Sequence, residues 1–158
     1  MVWPRALLYM LVVGGGWLLL LPGLILRLEH GELAVPLRPR PWRLAGGLLM
    51  GLGVILASLA AGFLVGHGHG TPFPLDPTRA LVTTGPYRYV RNPQAIAMLL
   101  LVVGEVMAIR SRWLWLMVPL SLLYLEGLAA PWEELELLAR YGEPYRLYTR
   151  RVRRWLPG

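Results

Sequence analysis

Two stretches of this chain, Ala6–Leu26 and Leu44–Gly66, each run for more than twenty residues without a formal charge. The hydrocarbon core of a bilayer is about 30 Å thick and a helix rises about 1.5 Å per residue, so roughly 20 apolar residues cross it. Backbone polar groups find no water there, and the helix satisfies them internally. Both runs therefore predict membrane helices. Two shorter apolar runs follow. Ala95–Ile109 contains Glu105, and Trp113–Trp132 contains Pro119 and Glu126. Only Arg110, Ser111 and Arg112 separate them, which predicts a tight antiparallel hairpin. Ala95–Ile109 is short for a full crossing. The first run holds Pro22 and lacks a small-residue cleavage site after it, so it reads as a span and not as a signal peptide. The expected fold class is all-α: a polytopic membrane helical bundle of about four transmembrane helices, with a cytosolic C-terminal helical tail.

Composition agrees. Over 158 residues, 56% are hydrophobic and the mean hydropathy is +0.50, beyond the range of a soluble domain of this size. The length suits one domain, 1–158, with two N-terminal spans in 1–66 and a loop, hairpin and tail in 67–158. There is no cysteine, which excludes disulfides and thiolate metal sites. All sixteen basic residues are arginine, a bias that with the Leu, Gly, Pro and Ala content suggests a bacterial or archaeal cytoplasmic (inner) membrane. The net charge of +7 does not point to nucleic acid, because the arginines lie between apolar runs and face lipid headgroups. Four spans put ten arginines with the N-terminus, the Gly68–Gln94 loop and the tail, against six on the other side. That asymmetry places the C-terminus in the cytoplasm. Trp3, Trp42, Trp113 and Trp132 fall near span ends and read as interfacial anchors. Gly47 and Gly51 form a small-xxx-small pair, expected to pack a neighbouring helix closely.

Two polar stretches are too specific to be connectors. His67 to Pro93 is rich in Gly and Pro, yet carries Leu81, Val82, Tyr87, Tyr89 and Val90, residues that want burial. It predicts a long ordered loop. In the second stretch Leu135, Leu138 and Tyr141 recur at helical spacing, Gly142 reads as a stop, and Tyr145 and Tyr148 share one face of a further turn. His67 and His69 lack a third ligand nearby, and no metal is expected.

Together these stretches carry an ordered set of motifs: Gly85-Pro-Tyr-Arg88, Arg91-Asn92-Pro93, Glu133-Glu134, Leu137, Tyr141-Gly142, Tyr145, Tyr148, Val152, Arg154-Trp155 and Pro157. Over roughly the last ninety residues, from about Gly68, the chain resembles the isoprenylcysteine carboxyl methyltransferase and phospholipid methyltransferase superfamily of integral membrane enzymes. The first two spans resemble it only as generic membrane helices. Departures are Ala95 and Ala97, where members commonly have Tyr and Gly, and Asn92 at a position that is often His.

The resemblance implies methyl transfer from S-adenosylmethionine, with S-adenosylhomocysteine as product. The acceptor would be lipophilic and reached from the bilayer, either an isoprenylcysteine-type carboxylate or a phospholipid amine. Membrane lipids would be the partners. Arg88, Arg91 or Arg154 would hold the cofactor carboxylate in charge-assisted hydrogen bonds. Glu133 or Glu134 would bind its ribose or ammonium. Tyr87, Tyr145 and Tyr148 would line the adenine slot or face the sulfonium. Asn92 and Pro93 complete the cofactor set. Arg91, Glu134 and Glu105 are the catalytic candidates. A carboxylate acceptor needs no base, whereas an amine must lose a proton to Glu105, Glu126 or Glu134. Glu105 has a second reading as a neutral acid hydrogen-bonded between helices, and Glu126 a second reading as a solvated charge. The alternatives in function are an NADPH-dependent membrane reductase related to sterol reductases, and a small membrane protein without enzymatic activity.

Overall fold

The computed structural model describes residues 4, 8, 10–31, 35–70 and 78–155. Trp3, Arg5, residues 71–77 of the expected loop and Pro157 lie outside them. All regular secondary structure among the described residues is helical, with one isolated antiparallel bridge between Leu37 and Ile109.

Two π-helical stretches, Met10–Gly14 and Gly16–Leu20, lead into α1, Leu21–His30. The second ends as the Leu21 N–H reaches the Gly16 carbonyl, five residues back, immediately before Pro22. Proline has no N–H and its ring crowds the carbonyl four residues earlier, so one widened turn accommodates it. The long helix α2, Arg40–Gly68, has 29 residues and spans about 43 Å. It runs antiparallel to α3, Pro93–Ala108, whose 16 residues span only about 24 Å. A 3₁₀ turn, Trp113–Leu116, then opens a helix that continues to Tyr141. It comprises α4, Met117–Tyr124, a π turn at Leu125–Ala129, and α5, Ala130–Tyr141. Here too the π turn precedes a proline, Pro131, and the Ala130 N–H bonds the Leu125 carbonyl. Gly142 ends α5, and α6, Glu143–Arg151, follows. Two helices, Arg40–Gly68 and Trp113–Tyr141, are long and apolar enough to cross a membrane.

The expected glycine packing falls on other glycines. A side chain on Gly47 or Gly51 would meet nothing within 4 Å. Gly46 and Gly53, seven residues apart on one face, are the positions buried against α3. A Cβ at Gly46 would run into the Gly104 carbonyl and lie 3.0 Å from the Ala108 nitrogen; one at Gly53 would lie 2.9 Å from the Ala97 carbonyl. The 3.6-residue period puts 47 and 51 about 100–160° round the helix from 46 and 53. Spacing alone does not say which stripe meets the partner.

At one end of the bundle Leu26, Val102, Val106, Ile109, Leu114 and Met117 form a buried cluster joining α1, α3 and the hairpin turn. Ser111 locks it: its hydroxyl donates to Glu29 at 2.5 Å and accepts from the Leu114 N–H at 3.2 Å. Trp42 and Trp113 stay about half exposed at this end, each with an arginine, Arg38 or Arg112, over its ring. At the other end Ala60, Val82 and Tyr87 cluster with Phe63 and Leu64, fixing the loop to the end of α2. Gly85, at φ +60°, turns the chain where any side chain would enter the Phe63 ring. Between the ends, Leu44, Leu48, Leu52, Ile55 and Leu59 of α2 stay exposed. A soluble fold would bury such a row; a bilayer solvates it.

Candidate functional site

The loop, the start of α3, the α4–α5 helix and the tail meet around one cavity of about 700 Å³. That volume lies within the usual range for small-molecule sites. Local sequence positions each wall. Asn92 caps α3, its side-chain oxygen accepting from the Ala95 N–H at 2.9 Å, and Pro93 sits in the first turn, where a missing N–H costs nothing. The cap aims Arg91, Asn92 and Gln94 at the cavity. Glu133, Glu134 and Leu137 line it from α5, and Tyr145 and Tyr148 from the buried face of α6. Leu64, Met98, Tyr124, Leu125, Leu128 and Trp132 supply an apolar wall from the membrane helices.

Glu134 is the hub. Its Oε1 receives Arg91 Nη1 at 2.5 Å and also Arg154 Nη2. Arg154 Nη1 reaches Glu126 at 3.1 Å, and the Trp155 indole donates to the same carboxylate. Asn92 donates to Glu133 at 2.9 Å. The tail is also pinned through its backbone, with the Arg91 N–H bonding the Arg153 carbonyl at 2.9 Å and Asn92 bonding Arg154 at 3.4 Å. Arg91, Glu134, Arg154 and Glu126 thus form a chain of alternating charges across three segments distant in sequence. Burial works against the charge on Arg154, but its bonds to Glu134 and Glu126 outweigh this and hold its pKa above the ordinary arginine value.

The tyrosines are held neutral. Burial, then the neighbouring Glu133 and Tyr148, push the Tyr87 hydroxyl well above its usual range. Burial, then Tyr145, do the same to Tyr148, whose hydroxyl donates to the Tyr87 carbonyl at 2.5 Å. Tyr145 is raised by burial and by Glu134, and its ring lies 6.2 Å from that of Tyr148.

Two buried donors on this cavity have no partner among the described residues: Arg91 Nε and Gln94 Nε2. Buried donors are rarely left unpaired unless a ligand or water completes them. They sit beside an acidic pair and aromatic faces, so the cavity offers donors for a carboxylate, acceptors for an ammonium or hydroxyls, and an apolar slot for a purine. S-adenosylmethionine carries all three groups, and the residues fit it.

The structure therefore brings together Tyr87, Arg91, Asn92, Glu133, Glu134, Tyr145, Tyr148 and Arg154. It does not bring three others. Arg88, the last residue of the 3₁₀ turn Gly85–Arg88, is exposed and lines a different cavity. Pro93 is buried in the helix start and lines nothing. Glu105 lies twelve residues beyond Pro93, about 18 Å along α3, away from the cavity lining. Residues that sequence reasoning did not place here are Gln94, Thr78, Arg140 and Tyr141. The Tyr141 hydroxyl donates to the Thr78 carbonyl at 2.6 Å, and Arg140 reaches the same oxygen at 3.2 Å, tying α5 to the loop. Tyr141 stands in the motif set, which was its signal; Gln94 gave none. Among the described residues no group of three metal-binding side chains occurs. His67 instead stacks on Phe63.

Residues 42–143 match the family model described as phospholipid methyltransferase. The match takes in all but the first two residues of α2, which by motif resembles the family only as a generic membrane helix, and stops before Tyr145 and Tyr148. No curated protein and no solved structure matches the chain.

Proposed function

Because this chain belongs to the phospholipid methyltransferase family of membrane methyltransferases, we propose that it moves the methyl group of S-adenosylmethionine to a lipid-borne acceptor, a phospholipid amine or a related lipophilic group, at the membrane face where the tail packs. The observation that carries this is the convergence of Arg91, Glu134 and Arg154 on a cavity that also has an apolar wall of Leu64, Met98, Leu125, Leu128 and Trp132. Polar groups at one end suit a zwitterionic cofactor, and the greasy walls suit an acceptor arriving from the bilayer.

The bound cofactor supplies an electrophilic methyl on a sulfonium. The chain's own residues supply position and a dry environment. The unpaired Arg91 Nε and Gln94 Nε2 donate to a carboxylate or another acceptor oxygen. Glu133, half committed to Asn92, keeps an oxygen free for an ammonium or a hydroxyl. Tyr87, Tyr145 and Tyr148, neutral at physiological pH, offer ring faces to a purine or a cation. For an amine acceptor Glu133, Glu134 and Glu136 are the glutamates lining the cavity, Glu136 being paired with Arg140; Glu105 drops out of this role because of its distance. We take 1–158 as one domain of four membrane passes, α1 and the short α3 included, with the C-terminal tail on the cytoplasmic side.

The test is calorimetric titration of the detergent-solubilised protein with S-adenosylhomocysteine and, separately, NADPH. Labelled methyl transfer to dispersed phospholipids and to a prenylcysteine analogue follows. Saturable S-adenosylhomocysteine binding with label in one acceptor class is expected. Binding of NADPH alone would overturn the reading.

A further inference from the structure

A second cavity, of about 470 Å³, lies on the far side of Tyr148, which lines both. Its cationic lining comes from two element ends: Arg88 closes the 3₁₀ turn and Arg151 closes α6. Thr83 also lines the cavity, and Leu147 stands at it 45% exposed. The network around Glu134 engages neither arginine, and neither has a carboxylate partner among the described residues. The nearby Glu143 faces Arg146 instead, at 3.7 Å.

Two guanidiniums without a carboxylate partner among the described residues, on one concavity, form a donor set matched to a tetrahedral oxyanion, since guanidinium forks engage phosphate oxygens in pairs. The exposed leucine beside them suits a ligand that also has an apolar part. We propose that this cavity binds the phosphate group of an anionic lipid headgroup, Arg88 and Arg151 gripping its oxygens and Leu147 meeting the glycerol and first acyl carbons. Arg150 is the internal contrast. It occupies the same last turn of α6 and is equally exposed, but does not line the cavity. A general attraction of basic surface to an anionic membrane would use Arg150 as readily as Arg151; a built site would not.

The test uses the full chain in neutral detergent, with no cofactor, so it stands apart from the methyl-transfer reading. Short-chain dihexanoyl phosphatidylglycerol, below its micellar concentration, is titrated while intrinsic fluorescence is followed; inorganic phosphate forms the second arm. Saturable lipid binding is expected. Arg88→Gln and Arg151→Gln should each weaken it about tenfold, the scale of losing one charge-assisted pair, and Arg150→Gln less than about twofold. Arg88→Lys and Arg151→Lys, which keep the charge, should recover part of the loss and show that the glutamine variants are folded. Equal effects at 150 and 151, or no saturation, would overturn the site. Free phosphate binding as tightly as the lipid would overturn the lipid as its ligand.

Discussion

Replacing Glu134 by glutamine tests the site most directly. The substitution keeps shape and one acceptor oxygen but removes the charge that both Arg91 and Arg154 bond. A charge-assisted hydrogen bond contributes about 1.5–3 kcal/mol when sheltered. Here the arginine side chains are 19% exposed and Glu134 is 38% exposed, so solvent screening reduces each bond to about 1 kcal/mol. Loss of both, with two guanidiniums left facing each other, costs about 2 kcal/mol. If the network's purpose is to hold those arginines for the cofactor, that figure appears as about 30-fold weaker S-adenosylhomocysteine binding by calorimetry. Glu143→Gln is the control: its pair with Arg146 is 3.7 Å long and about 60% exposed on both sides, and affinity should move less than about twofold. A folded Glu134→Gln protein, intact by circular dichroism, that binds within twofold of the original would refute the argument.

Two further outcomes follow from the packing and the tyrosines. Gly46→Ala should lower the thermal unfolding temperature sharply, by overpacking of about 1–3 kcal/mol against the α3 backbone, whereas Gly47→Ala, with open space around it, should be neutral or stabilise slightly by about 0.5–1 kcal/mol; equal effects would refute the assigned face. The raised pKa values of Tyr87 and Tyr148 mean that the folded chain keeps protons the unfolded chain loses above the ordinary tyrosine pKa of 10.0. Their contribution is therefore fully present below that pH and is lost as pH rises through the folded values. Ultraviolet titration should show Tyr87, Tyr145 and Tyr148 ionising late, one fewer in Tyr148→Phe, with this part of the stability falling on the alkaline side.

Much of this was legible in the chain. The uncharged run Leu44–Gly66 gave the long helix α2, the three-residue link gave the hairpin, and Gly142 followed by Tyr145 and Tyr148 gave the bent tail with its buried aromatic face; the first run, Ala6–Leu26, is instead broken into π stretches before Pro22. The convergence of Arg91 with Glu133 and Glu134 was legible only through ordered motifs, because 43 residues separate Arg91 from its partner Glu134. What stayed hidden depends on phase and distance. Gly47 and Gly51 have the right spacing on the wrong face. Glu105 looks like a functional acid in a list of charges, but one helix length separates it from the others. Arg88 sits three residues before Arg91, yet the 3₁₀ turn sends them to different cavities. Gln94 is an ordinary polar residue at a helix start until its amide is found buried without a partner.

The π turn at Leu125–Ala129 has a consequence for everything downstream. A π turn holds one more residue than an α turn, so Glu133, Glu134 and Leu137 are phased as though one residue fewer preceded them on a continuous α-helix. Rewinding that turn to α geometry with every residue kept would swing the acidic pair by about 100°. Both halves would remain perfectly good helices, and hydropathy would scarcely notice. The carboxylates, however, would look out at lipid, and Arg91 and Arg154 would lose their common anchor. In this architecture the alignment of membrane and aqueous chemistry is kept by one local irregularity, and a chain that regularised it would be a sound membrane protein with a dismantled site.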